Sequence, residues 1–166
     1  MPTLKNNVYN FNFENRFRVT FLHSDPEVRK LGNTCVAINI PTIILGQTEQ
    51  PTSIRKIWIP GDSLEFEDVN AQFMLQESME NWLAAMDWIY RLRDPDEIKM
   101  KRETCDLAVD ILDAKHKTVV ECTLIDVFPF TVSDVPLTTQ IEDVEPSRFD
   151  ISFKINGFNY ARVSNL

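Results

Sequence analysis

Cys105-Asp106-Leu107-Ala108-Val109-Asp110-Ile111 decides how this chain folds. Its apolar side chains occupy every second position, with Asp106, Ala108 and Asp110 between them. Successive side chains of a strand point to opposite faces, so a period of two spells a half-buried β-strand. Toward the C-terminus, Asp113-Ala114-Lys115-His116-Lys117 is a turn, and the returning arm sets Val120, Cys122, Leu124 and Phe128 on one face. Phe130 to Val135 continues extended, and Leu137 to Ile141 reads as another strand. Phe149, Ile151, Phe153 and Ile155 then alternate with Asp150, Ser152 and Lys154. Asn156-Gly157 has the composition of a hairpin turn, from which Asn159 to Val163 pairs back.

Toward the N-terminus the same period recurs in Phe17, Val19 and Phe21, ended by a turn at Ser24-Asp25-Pro26-Glu27. A second strand spans about Thr34 to Ile40, with Val36, Ile38 and Ile40 facing together. Residues 43–59 read as a long hairpin with apolar residues on both faces: Ile43, Ile44 and Leu45 on one arm, Ile54, Ile57 and Trp58 on the other. Such a hairpin cannot bury both faces by itself. These six residues are therefore candidates for contact with a partner subunit, although a strand inside the core would read the same way. Pro60-Gly61-Asp62 is a turn, and Leu64 to Gln76 is mostly extended.

One helix is expected over about residues 78–93. Ser78 is suited to the N-cap, Glu80 to the first turn, and Arg91 and Arg93 to the end before Pro95. Met79, Trp82, Leu83, Met86, Ile89 and Tyr90 recur at helical spacing, and Trp82 and Trp88 read as core packing against the sheet. With seven to ten strands and no αβ alternation, the expected fold is mainly β, an antiparallel barrel or sandwich with one flanking helix. The 166 residues show no internal repeat or linker, so 1–166 is expected to be a single domain, with residues 1–13 an Asn-rich flexible arm.

Composition excludes several functional classes. Twenty-five acidic residues against 17 basic ones give a formal charge of −8, which opposes a general binder of phosphate backbones. The longest apolar run, Trp82 to Met86, is far shorter than a membrane helix needs, and no membrane partner is expected. Met1-Pro2-Thr3-Leu4-Lys5-Asn6 lacks the apolar centre of a secretion signal, so Sec export is not expected. Four glycines leave no phosphate-binding fingerprint. Three cysteines, Cys35, Cys105 and Cys122, without a C-x-x-C spacing, read as buried thiols in a reducing compartment.

The residues of catalysis do not assemble either. His23 ends a strand and His116 sits between two lysines; both read as surface histidines, with no nucleophile or metal ligand at a suitable spacing. Asp106 and Asp110 share a strand face at about 13 Å, too far apart for a glycosidase pair. The charged stretch Asp94 to Glu103 and the carboxylates Glu142, Asp143 and Glu145 read as solvated. No enzyme, cofactor or metal site is expected.

The order of the pieces resembles the tail tube protein of contractile-tailed bacteriophages, over roughly residues 14–163. The resemblance rests on Arg16-Phe17-Arg18-Val19-Thr20-Phe21, then Ile40-Pro41 leading into the isoleucine-rich hairpin. Ile59-Pro60-Gly61-Asp62 with Leu64-Glu65-Phe66-Glu67-Asp68-Val69 follows, then Trp82 and Trp88 on a helix. Val127-Phe128-Pro129-Phe130, Val132-Ser133-Asp134-Val135 and the closing strand Phe149-Asp150-Ile151-Ser152-Phe153-Lys154 complete it. It implies a structural virion protein whose sixfold rings join their sheets into an inner ring-shaped barrel and stack into a tube. A sheath surrounds that tube, baseplate proteins seat it, and the tape-measure protein and DNA pass through the lumen without specific binding. Assembly in the host cytoplasm is implied as well. On this reading Asp106, Asp110 and Glu121 are candidates to line the lumen, where they would repel DNA phosphates rather than hold them. A baseplate tube-initiator ring or a bacterial contractile-injection tube shares the fold. A monomeric binding domain or enzyme would instead show a deep pocket with convergent polar groups.

Overall fold

The computed structural model describes residues 16–93, 96, 103–140 and 145–163. The Asn-rich arm, most of the charged loop, and Ile141, Glu142 and Asp143 lie outside the described residues. In chain order the elements are β1 (Phe17–Leu22), α1 (Pro26–Lys30), a 3-10 turn (Leu31–Thr34), β2 (Cys35–Ile38), β3 (Ile43–Pro51) and β4 (Lys56–Phe66). There follow β5 (Val69–Met74), α2 (Glu80–Leu92), β6 (Cys105–Leu112), β7 (Thr118–Val132), β8 (Arg148–Lys154) and β9 (Gly157–Arg162).

Seven strands form one antiparallel sheet in the order β1-β6-β7-β8-β5-β2, with β9 also on β7; β3 and β4 form a separate two-stranded sheet. The mainly β, antiparallel class expected from the alternation is what the chain adopts. The larger sheet folds over on itself. Phe21 on β1 and Phe73 on β5 are separated by several strands in the sheet order, yet their rings lie 6.3 Å apart, and Phe21 also meets Phe153 of β8 at 5.8 Å. Among the described residues no ladder joins β1 to β2, so this fold-over stays open. Helix α2 plugs it: Trp88 is fully buried, 6.2 Å from Phe21 and 6.0 Å from Phe153.

The turn read at Ser24–Glu27 is the entry to a helix. Asp25 caps α1 by accepting the Glu27 N–H at 2.9 Å, and Pro26 starts the first turn, where its missing N–H costs nothing. Along β2 the register shifts between Cys35 and Ala37, so Cys35 and Ile38 pack on the core and Ile40 is exposed, against the expected Val36–Ile38–Ile40 face. A strand at Leu137 is absent: Leu137 to Gln140 are irregular.

Helix α2 begins one residue later than the Ser78 cap implied. Met79 holds the N-cap in left-handed backbone (φ 57°) and makes no side-chain cap bond. The helix entry is tied instead by Asn81, which is buried inside the first turn. Its Oδ1 accepts from the N–H groups of Gln76 (3.2 Å) and Trp82 (3.0 Å), while its Nδ2 donates to Met74 O (2.7 Å) and Thr34 Oγ1 (3.2 Å). The buried stripe is accordingly Asn81, Ala84, Ala85 and Trp88, and Leu83 and Tyr90 of the expected stripe face outward.

Asn156-Gly157 does not make a hairpin. β8 and β9 do not pair with each other; both run antiparallel to β7, with Lys154 opposite Phe128 and Gly157 opposite Ile125 in one continuous register. Gly157 lacks the positive φ that a tight hairpin turn of this composition requires. The two strands are one long strand with a kink, and Asp126 stands at the corresponding place on β7 with φ 52°. That extra residue switches the inward side chains of β7 from Cys122 and Leu124 to Val127, leaving Phe128 half-buried.

Candidate assembly surfaces

The β3–β4 hairpin makes nearly all of its close contacts with itself. Alternation along β3, with the cross-strand partners, sorts its apolar side chains onto two faces. Ile44 shares one face with Ile57 and Ile59, which oppose Gln50 and Thr48; Ile43 and Leu45 share the other with Leu64, Phe66 and Trp58. Ile43, Ile44, Leu45, Ile57 and Trp58 are all exposed, so none is core. Ile54 is not on an arm but at the tip, 94% exposed, where Thr52 N–H donates to the Arg55 carbonyl. The Pro60-Gly61-Asp62 turn expected from sequence is part of β4, at a bulge where the register moves two residues between Leu45 and Gln47. Glycine is needed there. A Cβ on Gly61 would stand 2.9 Å from the Gly46 carbonyl oxygen.

The second surface is the outward face of the β1-β6-β7-β9 half-sheet. Arg18, Asp110, Glu121 and Ala161 form one row across its four strands. Asp110 and Glu121 are thus direct cross-strand neighbours, an arrangement that is unfavourable for like charges. Arg18 Nη1, 3.9 Å from Asp110, relieves part of it. Asp106 acts locally, its carboxylate accepting the Asp126 N–H at 3.2 Å and holding the kink of β7. Strands β1 and β9 end this half-sheet, and among the described residues neither has a ladder partner on its outer side.

A polar cluster around a buried histidine escaped the sequence reading. His23 is 5% exposed, not a surface residue, and its ring lies 5.1 Å from that of Trp88. Nδ1 accepts the Asp25 N–H at 2.9 Å, which leaves the proton on Nε2, 3.4 Å from Glu103 Oε2. Arg91 bridges the same groups, with Nε 2.9 Å from Glu103 and Nη2 2.9 Å from Asp25. Only Asp25-Pro26 after a strand end hinted at this junction. Burial pushes the His23 pKa below its ordinary 6.5, with Arg91 acting in the same sense and Glu103 and Asp25 opposing. The unfolded chain therefore takes up a proton that the folded chain refuses. The stabilisation is complete above about pH 6.5 and shrinks as pH falls toward the lower folded value. Thermal melts from pH 7.5 to 5.5 should show Tm falling on acidification, and His23→Asn, which keeps an acceptor but cannot titrate, should flatten that dependence. Equal slopes in both proteins would refute this origin. His116 is an exposed turn residue with φ 59°.

Among the described residues no group of three His, Cys, Asp or Glu side chains is placed to hold a metal ion. No helix among them is long and apolar enough to cross a membrane. Cys105 and Cys122 are buried and Cys35 half-buried, and burial raises all three thiols, to about 12 for Cys105 and about 11 for Cys35.

No protein-family profile matches the chain, and no curated protein matches it in sequence. Solved structures do. The chain is similar to the tube-terminating cap of an anti-feeding prophage, at 12% identity over 94% of both chains, with a TM-score of 0.71. It is similar to a chain of the sheath–tube complex of PVC, an extracellular contractile injection system, in its extended state. That match is 12% identical over 94% of this chain and 95% of that one, with a TM-score of 0.69. The sheath/tube terminator of the same system matches at 11% identity over 93% and 99%, with a TM-score of 0.71. Identities this low speak for fold alone, and the fold is tail-tube-like along nearly the whole chain.

Proposed function

We propose that the chain is a structural subunit of a tail-like tube, whose copies join edge to edge into rings that stack. The observation that carries this reading is the half-sheet β1-β6-β7-β9, open at both ends and polar on its outward face. Open edges are aggregation hazards unless something pairs with them, and a repeated head-to-tail contact closes into a ring when its rotation closes. The strand directions allow it. With β1, β6, β7 and β9 alternately reversed, β9 of one copy meets β1 of the next antiparallel.

Size is consistent with a conduit. Four strands at ~4.8 Å give roughly 19 Å of wall per copy, so six copies enclose a circle roughly 37 Å across before strand tilt widens it. In this reading the Asp110–Glu121 row faces the lumen and repels DNA phosphates during passage. Asp106 would share that face with its carboxylate already engaged. The apolar faces of the hairpin, at Ile43, Ile44, Leu45, Ile57 and Trp58 with Ile54 at its tip, would be buried against neighbouring copies. A sheath would surround the tube, baseplate proteins would seat it, and a tape-measure protein would occupy it in a phage tail assembled in the host cytoplasm.

A second reading is a capping or initiating ring of the same fold, favoured by likeness to tube terminators as close as that to the sheath–tube chain. Gel filtration and negative-stain electron microscopy of concentrated protein separate the two. Sixfold rings stacked into hollow filaments are expected. Rings that never stack would favour the cap, and a monomer at every concentration would refute both.

A further inference from the structure

The inward side chains of the half-sheet also form rows across its strands. One row runs Val19, Val109, Cys122, Tyr160, each directly opposite the next. Its first three members are buried, whereas Tyr160 is 76% exposed, its ring leaning on Phe158 at 6.4 Å between centroids. Its strand β9 packs chiefly on β7. A large exposed aromatic on the core face of an edge strand is a side chain prepared for burial.

At the other end of the same row, Val19 lines a cavity of about 380 Å³ together with Phe17, Gly32, Cys35 and Val36. The Arg16 carbonyl accepts the Leu112 N–H, so by alternation the backbone groups of Phe17, Val19 and Phe21 point away from β6, toward this cavity. The 3-10 turn approaches from the core face, where a Cβ on Gly32 would stand 2.5 Å from the Val19 carbonyl and 3.8 Å from the Phe21 ring. The cavity thus lies between the edge of β1 and that turn, beside backbone groups that an added strand would pair with. Asn33, which also lines it, offers a polar partner for a hydroxyl.

We propose that Tyr160 of one copy seats in the Phe17–Val19–Gly32–Cys35–Val36 cavity of the next, fixing which residues of β9 and β1 pair. The occupant is a second copy of this chain because the knob and the socket lie on one face, at the two free edges of the half-sheet. A closed, tilted ring needs a stagger between copies. An antiparallel β9 staggered by two residues toward the start of β1 puts Tyr160 opposite Phe17, which lines the cavity beside Val19. The proposal rests on the edge-to-edge ring reading and names the side chain that sets its register.

The test replaces Tyr160 in the full chain with p-azidophenylalanine and irradiates the assembled protein. A covalent dimer is expected, its cross-linked peptide falling within residues 16–36 of the second chain. Tyr160→Ala should keep the wild-type Tm, because the ring is exposed, and should raise the concentration needed for assembly at least tenfold. Rings that form at the wild-type concentration without Tyr160, or that give no such dimer, would overturn the proposal and leave the ring reading standing. A cross-link confined to the same chain, such as to its own N-terminal segment, would overturn it as well. A wild-type chain that stays monomeric would remove the ring reading itself.

Discussion

Trp88→Ala is expected to destabilise the fold by about 3–5 kcal/mol, the usual cost of deleting a fully buried aromatic. The ring packs among three other rings at once. It meets Phe21 of β1 edge-on, Phe153 of β8 at a tilt, and the imidazole of His23. Its Nε1–H also donates to the Glu103 carbonyl at 2.6 Å, so removal leaves a carbonyl without that donor where the chain enters β6. Because a chain of this size loses roughly 2–4 °C per kcal/mol, Tm should fall by about 6–20 °C. The other two tryptophans supply the scale. Trp82 is half-buried, with Nε1 3.5 Å from the Ser133 carbonyl, and its alanine variant should lose distinctly less. Trp58 is exposed on the hairpin, and Trp58→Ala should leave Tm within a degree or two. Far-UV melts of the three variants check the ranking. A Trp88→Ala protein as stable as Trp58→Ala would mean that the helix does not plug the folded sheet.

What could be read from the sequence was whatever depends on a local period. Phe17–Phe21, Cys105–Ile111 and Phe149–Phe153 announce their strands because each has one buried face and keeps a strict alternation. The hairpin at 43–59 announced two apolar faces because its side chains alternate without a polar side. Legibility fails where the backbone leaves its period. A bulge costs a single residue and carries no hydrophobic signature, so the parity switch at Asp126 and the shift near Val36 were invisible. Gly61 and Gly157 looked like turn residues, but they are strand glycines, chosen for close backbone or side-chain approach rather than for φ. Asn81 looked like the polar face of its helix because only the tertiary structure brings Met74, Gln76 and Thr34 to its amide. His23 looked exposed for the same reason. Its neighbours Arg91 and Glu103 are distant in sequence.

Ile44→Asp combined with Ile57→Asp is expected to abolish assembly while leaving the subunit folded. The two isoleucines lie on different arms of the hairpin but on one face, with Ile59 between their partners, so the pair charges a single apolar surface. Both are exposed in the isolated subunit, and exposed substitutions away from special backbone shift stability by only about 0.5 kcal/mol. The same positions keep about two-fifths of their surface exposed, so covering them would contribute about 0.6–1.3 kcal/mol each of apolar burial, and a carboxylate there would also lose its water. A loss of even ~3 kcal/mol per contact raises the assembling concentration roughly a hundredfold. The opposite face provides an independent arm: Leu45→Asp with Trp58→Asp charges the surface that carries Ile43 and Leu64. If one face meets a neighbour within the ring and the other meets the next ring, one pair should yield monomers and the other unstacked rings. Electron microscopy of both variants, beside melts that match wild type, reads this directly. Filaments from the Ile44/Ile57 pair at wild-type concentration would remove the hairpin from the interface. Loss of folding would place those side chains in a core that the isolated subunit does not show.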